Sequence, residues 1–282
     1  MYETNLTDAQ WQGIKKLIPS VERKRKQDIR NIFDALLYVL KTGCHWRMLP
    51  NDFPKWQLVY YYFAKWRDEE VFVYMNDMLR ERIRMEQEKQ PQCTAVIIDS
   101  QSIKTTRRGG LRGIDGNKKI KGRKRHITVD TMGNIVTNIV HTANIHDSTG
   151  ATLVVKEMQE NTYGINHIFG DCGYRGKFIP WAKEKYNCTV QIVPRYHQGN
   201  QEKVSPKRWI VERTFSWFEN FRRLSKDFEY LLESSQAMIY LASIKILLNK
   251  IYIRRGVSHG KGNEACEAGI GKSQKRNTGL PD

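Results

Sequence analysis

Residues 124–143 read KRHITVDTMGNIVTNIVHTA. Apolar and β-branched side chains run up to Gly133-Asn134 and away from it again, the pattern of a β-hairpin that turns at that pair. Upstream, TAVIID (94–99) is a short apolar run that ends in a carboxylate. Downstream, HIFGD (167–171) repeats the form and CTVQIV (188–193) adds a further strand. Helical stretches near 148–161 and 176–186 fall between the later strands, so residues 91–253 read as an α/β domain built on a mixed sheet.

The chain before this sheet has a different period. In DIRNIFDALLYVLK (28–41) the apolar residues Ile29, Ile32, Phe33, Leu36, Leu37 and Leu40 lie at helical spacing, and Gly43 supplies a stop. A second helix starts near Pro54, with Trp56, Val59, Tyr60 and Phe63 on one face; with helices over 7–18 and 69–87, residues 1–90 form an all-helical N-terminal domain. Such a unit in a basic protein suggests DNA binding, although the connection over 43–53 is longer than a helix-turn-helix motif prefers. The tail from Arg254 has six glycines in 29 residues and almost no large apolar side chains, so residues 254–282 are expected to be a disordered basic tail.

Across 282 residues, 47 Lys and Arg against 30 Asp and Glu give a net charge of +17, the footprint of a chain that meets polyphosphate. Much of the excess is local. From Lys104 to Arg125 ten basic residues (Lys104, Arg107, Arg108, Arg112, Lys118, Lys119, Lys121, Arg123, Lys124, Arg125) face one acid, Asp115. This glycine-rich segment follows Asp99 directly and is expected to lie along a DNA backbone, a solvated basic loop being the alternative. Five cysteines without a C-x-x-C pair or zinc-ligand spacing read as reduced thiols. No window approaches 18 consecutive apolar residues and the N-terminus lacks a signal-peptide pattern, so the expectation is a soluble, cytoplasmic protein that works at the nucleoid.

Three carboxylates come from three elements. Asp99 and Asp171 each end an apolar strand. Glu212 lies in RWIVERTFSWFENFRRLSKDFE (208–229), where one helix is expected to put Ile210, Trp217, Phe221, Leu224 and Phe228 on one face and Arg208, Glu212, Glu219, Arg223 and Lys226 on the other. Hard oxygen ligands on separate elements suit Mg²⁺ or Mn²⁺ and phosphodiester chemistry. The plainer reading makes the two aspartates strand-end turn formers and pairs Glu212 with Arg208 one turn away. Both stay open on the residues alone. Among other candidates, Asp147 reads as the cap of the helix that begins there, His141 and His146 as satisfied polar groups, and Tyr174 as core packing.

The segments IIDSQSIKTT, KKIKGRKRHITVDTMGNIV, ANIHDS, GDCGYRG and RWIVERTFSWFENFRRLSKDFE resemble, in order, the successive signatures of DDE transposases of bacterial insertion sequences. LPNDFPKWQLVYYYFAKW (49–66) resembles the N-terminal region of the same group. The resemblance implies an RNase H-like mixed sheet flanked by helices, with Asp99, Asp171 and Glu212 as the catalytic triad that holds Mg²⁺, for which Mn²⁺ can substitute. It also implies double-stranded DNA, both element ends and target, as the partner, and a homodimer or higher oligomer on that DNA. One departure stands out. Related transposases carry Tyr, Arg three residues on, Glu four later and Lys seven after that, where this chain has Ser205, Arg208, Glu212 and Glu219. Arg222, Arg223 and Lys226 are therefore expected, with Arg208, to grip the phosphate, and Ser205-Pro206 reads as the start of the helix.

Overall fold

The computed structural model describes residues 2–19, 28–194, 196–198, 201–203 and 206–262. The chain opens with four helices, α1 (Asp8–Ile14), α2 (Ile29–Thr42), α3 (Trp56–Asp68) and α4 (Val71–Glu86). Helix α2 starts at an Asp28 cap and stops at Gly43, whose φ of 70° closes the helix in the left-handed region. The stripe read from the sequence is its buried face: Ile32, Phe33, Leu36 and Leu40 are fully enclosed.

A mixed sheet follows. It contains β1 (Ala95–Lys104), β2 (Gly113–Asp115), β3 (Ile120–Val129), β4 (Ile135–Thr142), β5 (His167–Gly170) and β6 (Thr189–Ile192). Strand β3 pairs antiparallel with β1 on one edge and with β4 and the short β2 on the other, while β5 and β6 extend the sheet in parallel beyond β1. Helices α5 (Asp147–Asn161) and α6 (Phe178–Tyr186) cover one face, with Val96, Ile98, Val154, Ile168 and Phe178 in the layer between. Helices α7 (Pro206–Phe218) and α8 (Leu232–Gly262) belong to the other face, where Ile97, Ile127, Phe169 and Val211 join the N-terminal helices in one continuous core. A separate two-stranded ribbon, β7 (Tyr196–Gln198) and β8 (Gln201–Lys203), precedes α7. The strand order β4-β3-β1-β5-β6, antiparallel then parallel with helices on both faces, is RNase H-like.

Several expectations shift. Strand β1 does not end at Asp99 but runs five residues beyond it, because Ser100 and Ser102 keep pairing with β3 and their hydroxyls bond to Asp147 and Asp115 on the α5 side. The cap of α5 is His146, whose Nδ1 accepts from the Ser148 N–H, and Asp147 is the first helical residue. The helix expected over 208–229 ends at Phe218. There Glu219 and Asn220 donate to carbonyls three residues back, Asn220 Nδ2 also bonds Trp217 O, and Phe221 goes extended so that its ring enters the core. Helix α8 continues through residues 254–262, the first part of the tail read as unstructured. Ser205 and residues 263–282 lie outside the described residues.

Two glycines set how closely the layers meet. Gly133, at φ 81°, makes the hairpin turn and lets α7 sit on it: Thr214 Oγ1 donates to Gly133 O at 2.8 Å, and Arg213, lying against the rings of Trp209 and Trp217, donates to Met132 O at 3.0 Å. At Gly122 an added Cβ would stand 1.9 Å from the Ile103 carbonyl oxygen, inside the β1–β3 ladder. Backbone cannot swing aside as a side chain can. Gly122→Ala is therefore expected to cost about 2–3 kcal/mol, read as a fall of several degrees in the thermal melt; a parent-like melt would show that the ladder yields at this point.

Candidate active site

Strand pairing brings the two aspartates together. Ile97 pairs with Phe169 across β1 and β5, and two residues farther along each chain come Asp99 and Asp171, on the same face by the period-two alternation. That face is the one α7 covers, and Ile97, Asp99, Phe169, Asp171, Val193, Lys207, Arg208 and Val211 line one narrow cleft. Each aspartate is half-buried and spends one oxygen on main chain: Asp99 Oδ1 accepts from Ser100 N at 2.7 Å and Asp171 Oδ1 from Gly173 N at 2.8 Å.

The Asp99 carboxyl is pushed up to about 7. Burial is the main cause, and the negative charges of Asp171 and Glu212 add to it, while the Ser100 N–H and the Lys118 ammonium oppose. All three carboxylates thus share one electrostatic neighbourhood. They do not yet share a ligand position: among the described residues no three His, Cys, Asp or Glu side chains stand close enough to hold a metal ion. One reason is visible in α7, where Arg208 Nη2 holds Glu212 Oε1 at 2.9 Å in an i,i+4 pair. In donor type the three side chains fit a hard divalent cation, and such an ion would relieve the crowding of negative charge on Asp99.

A polar layer on the α5 side fixes both aspartate-bearing segments. Lys124 donates to Asp147 Oδ1 and Ile145 O, each at 2.9 Å, and Asp147 in turn accepts from Ser100 Oγ, the residue after Asp99. Tyr174, buried three residues after Asp171, bonds His126 Nε2 at 2.8 Å; His126 Nδ1 meets His141 Nε2 at 3.2 Å, and His141 Nδ1 meets Thr142 O at 3.0 Å. A carbonyl only accepts, so with neutral rings the whole chain has one direction, from the Tyr174 hydroxyl to Thr142 O. Burial lowers the pKa of both histidines, which keeps them neutral.

The basic residues divide into two sets. Lys104, Arg107, Arg108, Arg112, Lys118, Lys119 and Lys121 are exposed, as are Arg222 and Lys226, and Arg208 borders the cleft. Arg123, Lys124, Arg125 and Arg223, expected with the others to lie along DNA, are buried. Arg123 is fully enclosed and bonds Asp227, Ser235 and the carbonyls of Leu111, Glu229 and Tyr230. Arg223 pairs with Glu229 at 2.7 Å and donates to Cys44 O, tying the end of α2 to the segment after α7. The fold consumes the charges of Arg123, Lys124 and Arg223, each held by a carboxylate, and the first two are enclosed because β3 is a central strand with both faces covered. Lys207 was not anticipated; its Nζ lies 3.4 Å from the centroid of the Phe169 ring at the cleft wall. Its place beside Arg208 at the start of α7 is the signal that could have found it.

An RNase H-like sheet with one acidic residue on a central strand, a second just past the end of the neighbouring strand, and a third on the helix above them, belongs to the class of RNase H-like nucleases and transposases. Residues 90–247 match the family described as transposase DDE domain, more than half of the chain, and residues 6–76 match the IS4/5 transposase family DUF4096. The chain belongs to the DDE transposase family. No curated protein matches it. No helix among the described residues is long and apolar enough to cross a membrane, and Cys44, Cys93, Cys172 and Cys188 form no disulfide.

Proposed function

We propose that the chain cuts DNA at the ends of its own element and joins the freed 3′-hydroxyl to target DNA, with Asp99, Asp171 and Glu212 as its catalytic carboxylates. The observation that carries this reading is that Asp99 and Asp171 each follow by two residues the Ile97–Phe169 pair of neighbouring strands and line one cleft, with Glu212 near enough to raise the Asp99 pKa. In the first step a water oxygen bonds to phosphorus and the 3′ oxygen leaves. In the second, that 3′-hydroxyl attacks a target phosphodiester, one phosphodiester bond replacing another, so no external energy source enters.

The three carboxylates would hold two Mg²⁺ ions, which supply Lewis-acid stabilisation of the attacking and leaving oxygens. For Glu212 to take part, Arg208 must release it; the freed guanidinium is then a phosphate donor at the same cleft. Lys104, Arg107, Arg108, Lys118, Lys119, Lys121, Arg222 and Lys226 supply exposed positive charge for the DNA backbone, and the helices of residues 1–90 add a second contact region. Pairing two element ends calls for at least a dimer on DNA.

Labelled duplexes that carry the element's terminal sequence test this. Cleavage is expected in Mg²⁺ or Mn²⁺, loss of it in EDTA, and recovery on adding the ion back. Pre-cut ends should be joined to a plasmid target; ends that are cut but never joined would make the protein a nuclease, and equal cleavage in EDTA would remove the metal from the mechanism. Mass measurement with and without end DNA checks the dimer, which a one-to-one complex would exclude.

A further inference from the structure

Arg125 is only 3% exposed, yet no ion pair or hydrogen bond to its guanidinium is present among the described residues, and its Nε is buried without a partner. Asp227, the carboxylate whose charge raises its pKa, is already engaged by Arg123 and Ser235. Burial lowers the Arg125 pKa to about 10, so the group remains cationic at neutral pH. An unpaired buried charge is among the costliest features a fold can carry, and its neighbour two residues away, Arg123, shows what a satisfied one looks like here.

Arg125 opens on a cleft of its own. The cleft is walled by Ile103, Ile120, Phe215, Phe218 and Leu224, with Lys104 and Lys226 exposed at the rim and Glu219 the sole acid among its lining residues. Apolar walls strengthen any charge–charge interaction at the floor. In register, Arg125 pairs with Gln101, two residues from Asp99 on the same face of the sheet. Diagonal neighbours across a strand pair lie about 7–8 Å apart, so the cleft adjoins the carboxylates on the side away from Asp171.

We propose that Arg125 forms the floor of an anion site for one backbone phosphodiester of the bound DNA, with Lys104 and Lys226 closing over it. This rests on the transposase reading and adds to it a fixed phosphate position beside the one that reacts. Buried at the floor, Arg125 would grip that phosphate bidentately in a dry setting, while the rim lysines would add screened, salt-sensitive attraction. The role is positional: it sets which phosphodiester arrives at Asp99 and Asp171.

The test reads binding and stability of the full chain, without cleavage. Arg125→Met keeps the volume and removes the charge. Without DNA, its melting temperature is expected to equal or exceed the parent's, since an unpaired buried charge is gone. With the terminal duplex as probe, affinity should fall about tenfold and the slope of log K against log salt should lose about 0.9, one phosphate's worth. Scanning that duplex with single methylphosphonates should reveal one position whose neutralisation weakens the parent about tenfold and leaves Arg125→Met unchanged. A melt lowered by several degrees would make Arg125 structural and overturn the proposal, as would parent-like affinity and slope. Glu219→Gln guards against an internal partner: it should melt like the parent, and a loss of stability that Arg125→Met abolishes would identify Glu219 as the occupant instead. If the transposase reading itself fails, the parent will leave the terminal duplex uncut in Mg²⁺ or Mn²⁺, a result independent of these binding measurements.

Discussion

Asp99→Asn is expected to bind terminal DNA like the parent and to cut it at least about 10³-fold more slowly, some 4 kcal/mol of barrier. The change keeps the side chain's shape and one oxygen acceptor for the Ser100 N–H, so β1 should hold its register. What it removes is a charge at the crowded end of the cleft, where burial and the neighbouring Asp171 and Glu212 already raise the carboxyl to about 7. Divalent-ion binding should weaken in parallel, which Mn²⁺ titration followed by electron paramagnetic resonance would register. Cleavage at the parent rate would sink the assignment of the site, whatever the fold.

The largest loss of stability is expected at Asp227→Ala. Asp227 has 2% side-chain exposure and holds Arg123 Nη1 at 3.1 Å, the Ser235 hydroxyl and the Glu229 N–H, while its main chain bonds Lys104 and Thr106. It joins the end of β1 to the start of α8. Removing it leaves the enclosed Arg123 without its counter-ion, a change that costs about 3–5 kcal/mol, or roughly 10 °C in the melting temperature at this size. The double variant Arg123→Met with Asp227→Leu should recover only part of that, because the carbonyls of Leu111, Glu229 and Tyr230 lose their donor as well. A melt within 2–3 °C of the parent for Asp227→Ala would show that water reaches Arg123 from the loop side. Two residues apart on one face of β3, Arg123 and Arg125 thus carry opposite expectations: one charge is satisfied by the protein, the other by the DNA it is proposed to hold.

Period and punctuation made much of the fold legible. The α2 stripe and its Gly43 stop, the hairpin at Gly133-Asn134 and the short strands after it are local features, set by side-chain alternation and by backbone angles that glycine alone adopts cheaply. The end of α7 was not legible in that way, since the apolar spacing continues through Phe221 and Leu224 while the chain leaves the helix to bury them from another direction. Asp99 misled similarly: it closes the apolar run, but β1 continues because distant partners, Asp147 and Asp115, accept the hydroxyls of Ser100 and Ser102.

By itself the sequence determined the kind of chain this is: a basic protein with helices first and a mixed sheet after, and carboxylates at 99, 171 and 212 in an order that resembles transposases. Only the tertiary structure decided which of its charges are spent. Lys104 to Arg125 is uniformly basic in one dimension, and nothing in the string distinguishes Lys118, exposed beside Asp99, from Arg123, enclosed against Asp227. The reason is physical. Whether a cation faces solvent, a carboxylate or a bare cleft depends on which strand its segment pairs with and what packs over that strand, and the partner that decides Arg123, Asp227, stands 104 residues away.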